Sequence, residues 1–316
     1  MADSKRQVKR VTRAERRAAE EAAQKARAEQ AAKERKQQTI IGIIVVAIVV
    51  ALVAVIGVVI YRNVTKTSAS AEEAYSKMQS AATKPAKADD KGGFLMSKDG
   101  YGKKVDKAPT VAIYMEPLCP GCASVNRNLD PTLVKMMNAG QLNLELHFLN
   151  FQDNKSSDNY SNRAFNGAIY IAEHDDDPNH LVDYLANIYA DGFQPGELTE
   201  YVSVKDSQLQ EQAIKAGVSE DVAKAAFSGK NEYWDWLNAS NDYTVSRQEL
   251  FNSSGSFSSP TLTINNNYWS LNNITLANTT MVDGFLKAIG LTSDQVGVEG
   301  DMPSIGADGK PIDITA

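Results

Sequence analysis

Twenty-two consecutive residues, Thr39 to Ile60, carry no charge and are mostly Ile, Val and Ala. As a helix such a run is about 33 Å long at 1.5 Å per residue, enough to cross a hydrocarbon core of about 30 Å. A helix in a soluble core keeps one polar stripe over such a length, and this run has none. It therefore reads as a single transmembrane helix over residues 39–61. A cleaved signal peptide, with Ala69 and Ala71 imitating a cleavage site, is the competing reading. The long charged region ahead of the run and the run's own length argue against it.

Charge sets the orientation. Residues 1–38 hold 12 Lys and Arg against 6 Asp and Glu, whereas the other 278 residues hold 21 against 33. The basic side stays cytoplasmic, so residues 1–38 form a cytoplasmic tail and the chain from about residue 62 lies outside the cytoplasm. The tail reads as a solvated segment or as a basic arm drawn to anionic lipid. It carries many Glu and no interleaved aromatics, so no nucleic-acid partner is expected. Residues 62–92, rich in Thr, Ser, Ala, Lys and Asp, read as a flexible tether with room for a short helix at Glu72 to Gln79.

From about 93 to 290 strand-like and helix-like patterns alternate, which predicts an α/β domain. The strongest strand candidate is the β-branched apolar run Thr110 to Met115. Leu142 to Phe151 alternates as a second strand, and Thr261 to Ile264 with Tyr268 to Leu271 forms a late hairpin. Helical spacing fills about 157–251, and Thr279 to Ile289 supplies a last amphipathic helix. The Gly/Asp/Pro-rich end, 291–316, reads as a mobile tail.

The chain has two cysteines, which excludes a disulfide-dense scaffold. They stand together in Cys119-Pro120-Gly121-Cys122, directly after the Thr110–Met115 strand. With a helix starting here, Cys119 sits at its N-terminal edge and Pro120 at the first helical position, where proline is favoured. Free backbone N–H groups and the helix dipole would then favour a thiolate at Cys119. The reading makes Cys119 the exposed, reacting sulfur and Cys122 the buried, resolving one. A structural disulfide, half of a zinc site completed by His147, His174 or His180, and two unrelated buried thiols are the alternatives. Glu116 reads either as a modulator of proton transfer at the thiols or as a surface turn residue. His174 to His180 reads as a solvated loop, and Tyr233, Trp234 and Trp236 as half-buried helix residues.

The run Val111 to Cys122 resembles the active-site segment of the DsbA-like thioredoxin-fold proteins. Phe257-Ser258-Ser259-Pro260-Thr261-Leu262-Thr263-Ile264-Asn265 resembles that family's cis-proline and following strand, and the helices between resemble its inserted helical subdomain. The resemblance implies a thioredoxin-like fold over 93–290, with the helical insert at about 157–251, behind one transmembrane helix. It implies catalytic roles for Cys119, Cys122 and Pro260, and substrate contacts from Pro120, Gly121, Ser259 and Thr261. The redox group would be the Cys119–Cys122 disulfide itself, with no other cofactor and no metal. Two positions depart from the family pattern. Gly121 stands where many family oxidases carry His, and Ser258-Ser259 replaces the usual residues before the proline, so a less extreme oxidant is expected.

The resulting expectation is a membrane-anchored, extracytoplasmic thiol–disulfide oxidoreductase of a cell envelope, of the actinobacterial type. It would form disulfides in exported cysteine-containing polypeptides. A membrane redox partner would recycle the cysteine pair, and residues 39–61 would contact lipid. A disulfide reductase or isomerase, and a redox-inert binding module of the same fold, are the alternatives.

Overall fold

A strand that is apolar on both faces needs cover on both sides. Thr110–Met115 has it, with Val111 through Met115 all buried. The computed structural model describes residues 70–315. These open with α1 (Ala71–Gln79), the hairpin β1 (Gly93–Ser97) and β2 (Gly100–Tyr101), and β3 (Thr110–Met115). Next come α2 (Pro120–Asn128), α3 (Asp130–Asn138) and β4 (Asn143–Phe148). A helical insert follows: α4 (Tyr160–His174), α5 (Pro178–Ile188), α6 (Asp206–Lys215), α7 (Glu220–Ala226) and α8 (Trp234–Ser246). The chain then returns to the sheet as β5 (Thr261–Ile264) and β6 (Asn267–Trp269), and closes with α9 (Asn272–Leu276) and α10 (Met281–Ile289).

The strands form one mixed sheet in the order β2-β1-β4-β3-β5-β6. β3 runs parallel to β4, with Val111 opposite Leu144 and Ile113 opposite Leu146, and antiparallel to β5, with Tyr114 opposite Thr261. This central place brings the end of β3, where Cys119 follows, beside the start of β5, where Pro260 precedes. Aromatic side chains tie the insert to the sheet. Phe148 of β4 packs on Phe165 of α4 at 4.8 Å between ring centroids, and Phe94 of β1 meets Trp236 of α8 edge-on at 6.0 Å. Gly167 in α4 has a packing reason, since a Cβ there would lie 2.1 Å from the Phe227 ring.

Three sequence expectations differ from the structure. The described part of the 62–92 tether, residues 70–92, is folded onto the domain rather than free. Ser70 and Glu73 form a capping box, α1 lies against α8, Met78 is buried, and Tyr75 stacks near Tyr243 at 5.1 Å. Further along, the Glu173 carboxylate accepts the backbone N–H groups of Ala86 and Lys87 at 2.8 and 2.7 Å. Tyr233 and Trp236 are buried instead of half-buried, and of the three only Trp234 is half-buried. The 291–316 tail, described to Thr315, is docked: Ile312 donates to the Ala288 carbonyl at 2.7 Å, and the Asn265 amide donates to the Gly306 and Gly309 carbonyls. The expected basic tail at 1–38 and transmembrane helix at 39–61 lie outside the described residues. Among the described residues no helix is long and apolar enough to cross a membrane.

Gln141 explains how so polar a tail is held. It is buried, its amide N–H groups donate to the carbonyls of Gln295, Val298 and Asp301, and its carbonyl accepts Gly297 N–H. Gln141→Ala leaves these loop groups without their partner, so a loss of about 1–3 kcal/mol is expected. Limited proteolysis should then cut first between 292 and 303, whereas an unchanged cleavage pattern would show that Gln141 is not what holds the tail.

Candidate active site

The strand–turn–helix passage after β3 places both cysteines. Cys119 is the N-cap of α2 in extended geometry, with Pro120 in the first turn, so the first free N–H groups of the helix point at its side chain. The Cys119 Sγ accepts Cys122 N–H at 3.4 Å. The Cys122 Sγ in turn accepts Glu116 N–H at 3.4 Å. Both residues are free thiols.

From β5 comes the facing segment. The Ser259–Pro260 peptide bond is cis, and the Ser259 carbonyl oxygen lies 3.4 Å from the Cys119 Sγ. The Thr261 hydroxyl is turned back into its own segment, donating to Ser258 O at 2.6 Å. Residues 119–122 and 259–261 are therefore brought together, the juxtaposition that the family resemblance implied. Pro120 is the exposed member of the motif. Next to Pro260 opens a cavity of about 480 Å³ lined by Phe251, Asn252, Tyr268, Trp269 and Leu271.

One expectation is corrected: Cys119 is not exposed. It is 0% accessible and Cys122 3%. The Cys119 Sγ lies against the Ser259 carbonyl, and a segment some seventy positions later, after α5, which the local motif does not announce, binds the backbone of residues 116–119. The Gln194 amide donates to the carbonyls of Pro117 and Cys119 at 2.9 and 3.1 Å. The Tyr189 hydroxyl donates to Glu116 O at 3.0 Å. Arg127 of α2 donates to Tyr189 O at 2.7 Å and pairs with Asp191 at 3.1 Å.

Electrostatics set the two thiols apart. Burial opposes charge on Cys119, but hydrogen bonds from the Cys122 thiol, the Ser259 side chain and the Cys122 and Gly121 backbone outweigh it and hold its pKa below the ordinary thiol value. Burial, the hydrogen bond to Cys119 and the charge of Cys119 push Cys122 well above that value. The opposite displacements favour negative charge on Cys119 over Cys122.

Glu116 is the residue whose place the sequence left open, and it is no surface turn. It is fully buried, its carboxylate oxygens accepting Leu118 N–H at 2.7 Å and the Ser161 hydroxyl from the first turn of α4. Burial drives its pKa well above the carboxylate range, and the negative charge of Cys119 adds to the rise. A signal was present: one acid directly after five residues of a strand buried on both faces. His147, His174 and His180 do not approach the cysteines as ligands. His147 pairs with Glu145 and His180 with Asp175, each at 2.8 Å, and no group of three metal-ligating side chains occurs among the described residues.

Comparison with known proteins fits this arrangement. A family model described as Thioredoxin matches residues 101–283, more than half of the chain. Among curated proteins, the serine/threonine-protein kinase PknE of Mycobacterium tuberculosis is 35% identical over 101 residues, covering 31% of this chain and 18% of the kinase. The chain thus spans less than a fifth of that relative's length. Among solved structures, reduced DsbG of M. tuberculosis, a disulfide bond oxidoreductase, is 21% identical with TM-score 0.45, covering 71% of this chain and 99% of its own. Reduced DsbA of M. tuberculosis is 22% identical with TM-score 0.46, covering 59% and 89%. MdbA of Corynebacterium diphtheriae, a thiol-disulfide oxidoreductase, is 20% identical with TM-score 0.46, covering 59% and 93%. On the family match, with β3, the CPGC helix and the proline-led β5 in place, the chain belongs to the thioredoxin family.

Proposed function

We propose that this chain is a protein thiol–disulfide oxidoreductase that forms disulfides in exported, cysteine-containing polypeptides outside the cytoplasm. The observation that carries the reading is the polarised thiol pair: Cys119 at a helix N-terminus with its pKa lowered, Cys122 behind it with its pKa raised. A stabilised thiolate makes the reduced pair the favoured product, which is the property of an oxidant.

The electron count follows from the two sulfurs. A substrate thiolate attacks Cys119 Sγ in the Cys119–Cys122 disulfide, forming a mixed disulfide and releasing Cys122 as a thiolate. Cys122, whose surroundings favour the neutral thiol, takes up a proton. The second substrate thiolate then attacks the substrate sulfur of the mixed disulfide, and Cys119 leaves as the stabilised thiolate. Two electrons pass from substrate to enzyme. With two cysteines in all, the chain has no internal relay, so a membrane redox partner must take those electrons to restore the disulfide. Pro120, Gly121, Ser259 and Thr261 would border the substrate strand, and the cavity beside Pro260 offers room for its side chains. Residues 39–61 would anchor the protein in the cell membrane with residues 1–38 in the cytoplasm, a reading supported by the uncharged run and the basic flank.

Acid-quenching growing cells and alkylating free thiols reads the state of the pair directly. An oxidase is expected to be trapped mostly as the Cys119–Cys122 disulfide, and trapping as the dithiol would overturn the direction proposed here. In parallel, the purified oxidised chain should introduce disulfides into a reduced, unfolded protein stoichiometrically.

A further inference from the structure

Thiol–disulfide exchange needs a sulfur that a protein thiol can reach, and Cys119 is 0% accessible. The function proposed above therefore demands a movement. Two segments are bonded to Cys119: the one that precedes β5, whose Ser259 carbonyl lies 3.4 Å from its Sγ, and the long connection between α5 and α6, whose Gln194 amide donates to its carbonyl. The first runs straight into β5, which is paired on both sides in the sheet. The second, residues 189–205, contains only one short 3-10 turn, Leu198–Glu200. Loops beyond about 12–15 residues without regular structure are uncommon and are frequently lids.

This connection meets the active site itself through a few contacts. Its grip on the active site consists of the side-chain bonds from Gln194, Tyr189 and Arg127. Leu198 adopts φ 54°, a left-handed conformation costly for a bulky residue. Leu198 and Val202 are also 66% and 72% exposed, so the middle of the segment buries little apolar surface to hold it down. Beyond the site, Glu197 pairs with Lys155 at 2.8 Å, Tyr201 and Ser203 donate to Asp158, and Arg163 donates to Val204 O at 2.8 Å, which anchors the far end. The isolated side-chain bonds at the near end are of the kind that open below the global unfolding free energy.

We propose that residues 189–204 form a strap that gates Cys119, and that Gln194 is its latch. Gln194 is a positioning residue: its amide bridges the Pro117 and Cys119 carbonyls and so couples the strap to the backbone that carries the reacting sulfur. With the latch released, the strap swings away as a unit and Cys119 becomes accessible with its helix N-terminus unchanged; because burial opposes its charge, opening lowers rather than raises its pKa.

The test follows alkylation of Cys119 in the reduced 316-residue chain by a bulky maleimide, as a function of pH, with the modified site read by mass spectrometry. Gln194→Met keeps the side-chain length and removes the donor. It is expected to raise the plateau rate, reached above the pH midpoint where the thiolate is fully formed, about fivefold to tenfold, the factor for losing about one net hydrogen bond. Arg127→Ala, acting at the other end of the strap, should do the same. Unaltered plateau rates in both, with any increase confined to pH values below the midpoint, would overturn the gate. Hydrogen exchange on the unaltered chain decides independently of any variant: amides of 190–204 should exchange at least about a hundredfold faster than those of Thr261–Ile264. Equal protection of the two segments would sink the proposal. Alkylation does not depend on turnover, so a chain that gates Cys119 yet forms no disulfides would refute the oxidase reading and leave the strap standing.

Discussion

Cys119→Ser is expected to reduce disulfide formation in a reduced, unfolded protein to background, a loss of roughly 10³-fold or more, on the scale of removing the nucleophile from a catalytic unit. The thiolate is the species that attacks and leaves in exchange, and a hydroxyl in its place neither ionises in the accessible range nor forms a disulfide. The fold should survive. A serine hydroxyl at position 119 still finds Cys122 N–H to accept from and Ser259 O to donate to, so circular dichroism and thermal melting should stay close to those of the parent. Cys122→Ser separates the two roles. Its Cys119 thiolate should open the disulfide of an added peptide and remain joined to it, because no neighbouring thiol releases the adduct. Retention of activity in Cys119→Ser would show that the motif is a structural element, and failure of Cys122→Ser to accumulate the adduct would show that Cys119 does not reach protein disulfides.

What the sequence discloses here is what neighbouring residues determine. The Thr110–Met115 strand, the proline in the first turn after Cys119 and the Thr261–Ile264 strand each follow from composition within a few positions, and all three lie where the pattern puts them. α9 goes unannounced because Asn272–Leu276 is a single short turn of polar and apolar residues with no periodicity to detect. The misread parts are those decided by distant partners. Residues 70–92 and 291–315 look like linkers because most of their side chains are polar. Their backbones are nonetheless held by single side chains elsewhere in the chain: Glu173 in α4, Gln141 beside β4 and Asn265 after β5. The burial of Cys119 belongs to the same class. A helix N-cap ordinarily faces solvent, and nothing in residues 110–122 foretells that Ser259 will lie against its sulfur and Gln194 and Tyr189 bind the backbone beside it.

Glu116→Gln should remove a pH dependence from the reduced protein's stability. Burial, then the charge of Cys119, holds the folded-state pKa of Glu116 well above its ordinary value of 4.5. Between those two values the unfolded chain has released the proton and the folded chain has kept it, so folding stability falls as pH rises through this window. The slope is about 1.4 kcal/mol per pH unit while it lasts, and it levels off once the folded carboxyl ionises. Glutamine is nearly isosteric and neutral. Its carbonyl accepts Leu118 N–H as the carboxylate oxygen does, and its amide donates to the Ser161 hydroxyl in place of accepting from it. Denaturant unfolding of the two reduced chains should therefore give similar stabilities near pH 4.5 and an advantage for Glu116→Gln that widens as the pH is raised to 7.5. Curves that stay parallel would refute the assignment of a neutral carboxyl. The same substitution bears on the thiols, because the Cys119 charge raises the Glu116 pKa, a repulsion that acts in both directions once both groups are charged, and the Glu116 charge raises the pKa of Cys122. Above the pH where Glu116 ionises, its replacement should ease thiolate formation at both sulfurs and lower the midpoint of Cys119 alkylation. A midpoint that rises instead would mean that the carboxyl assists the thiolate rather than opposing it, and that Glu116 stands in the fold for a reason other than its charge.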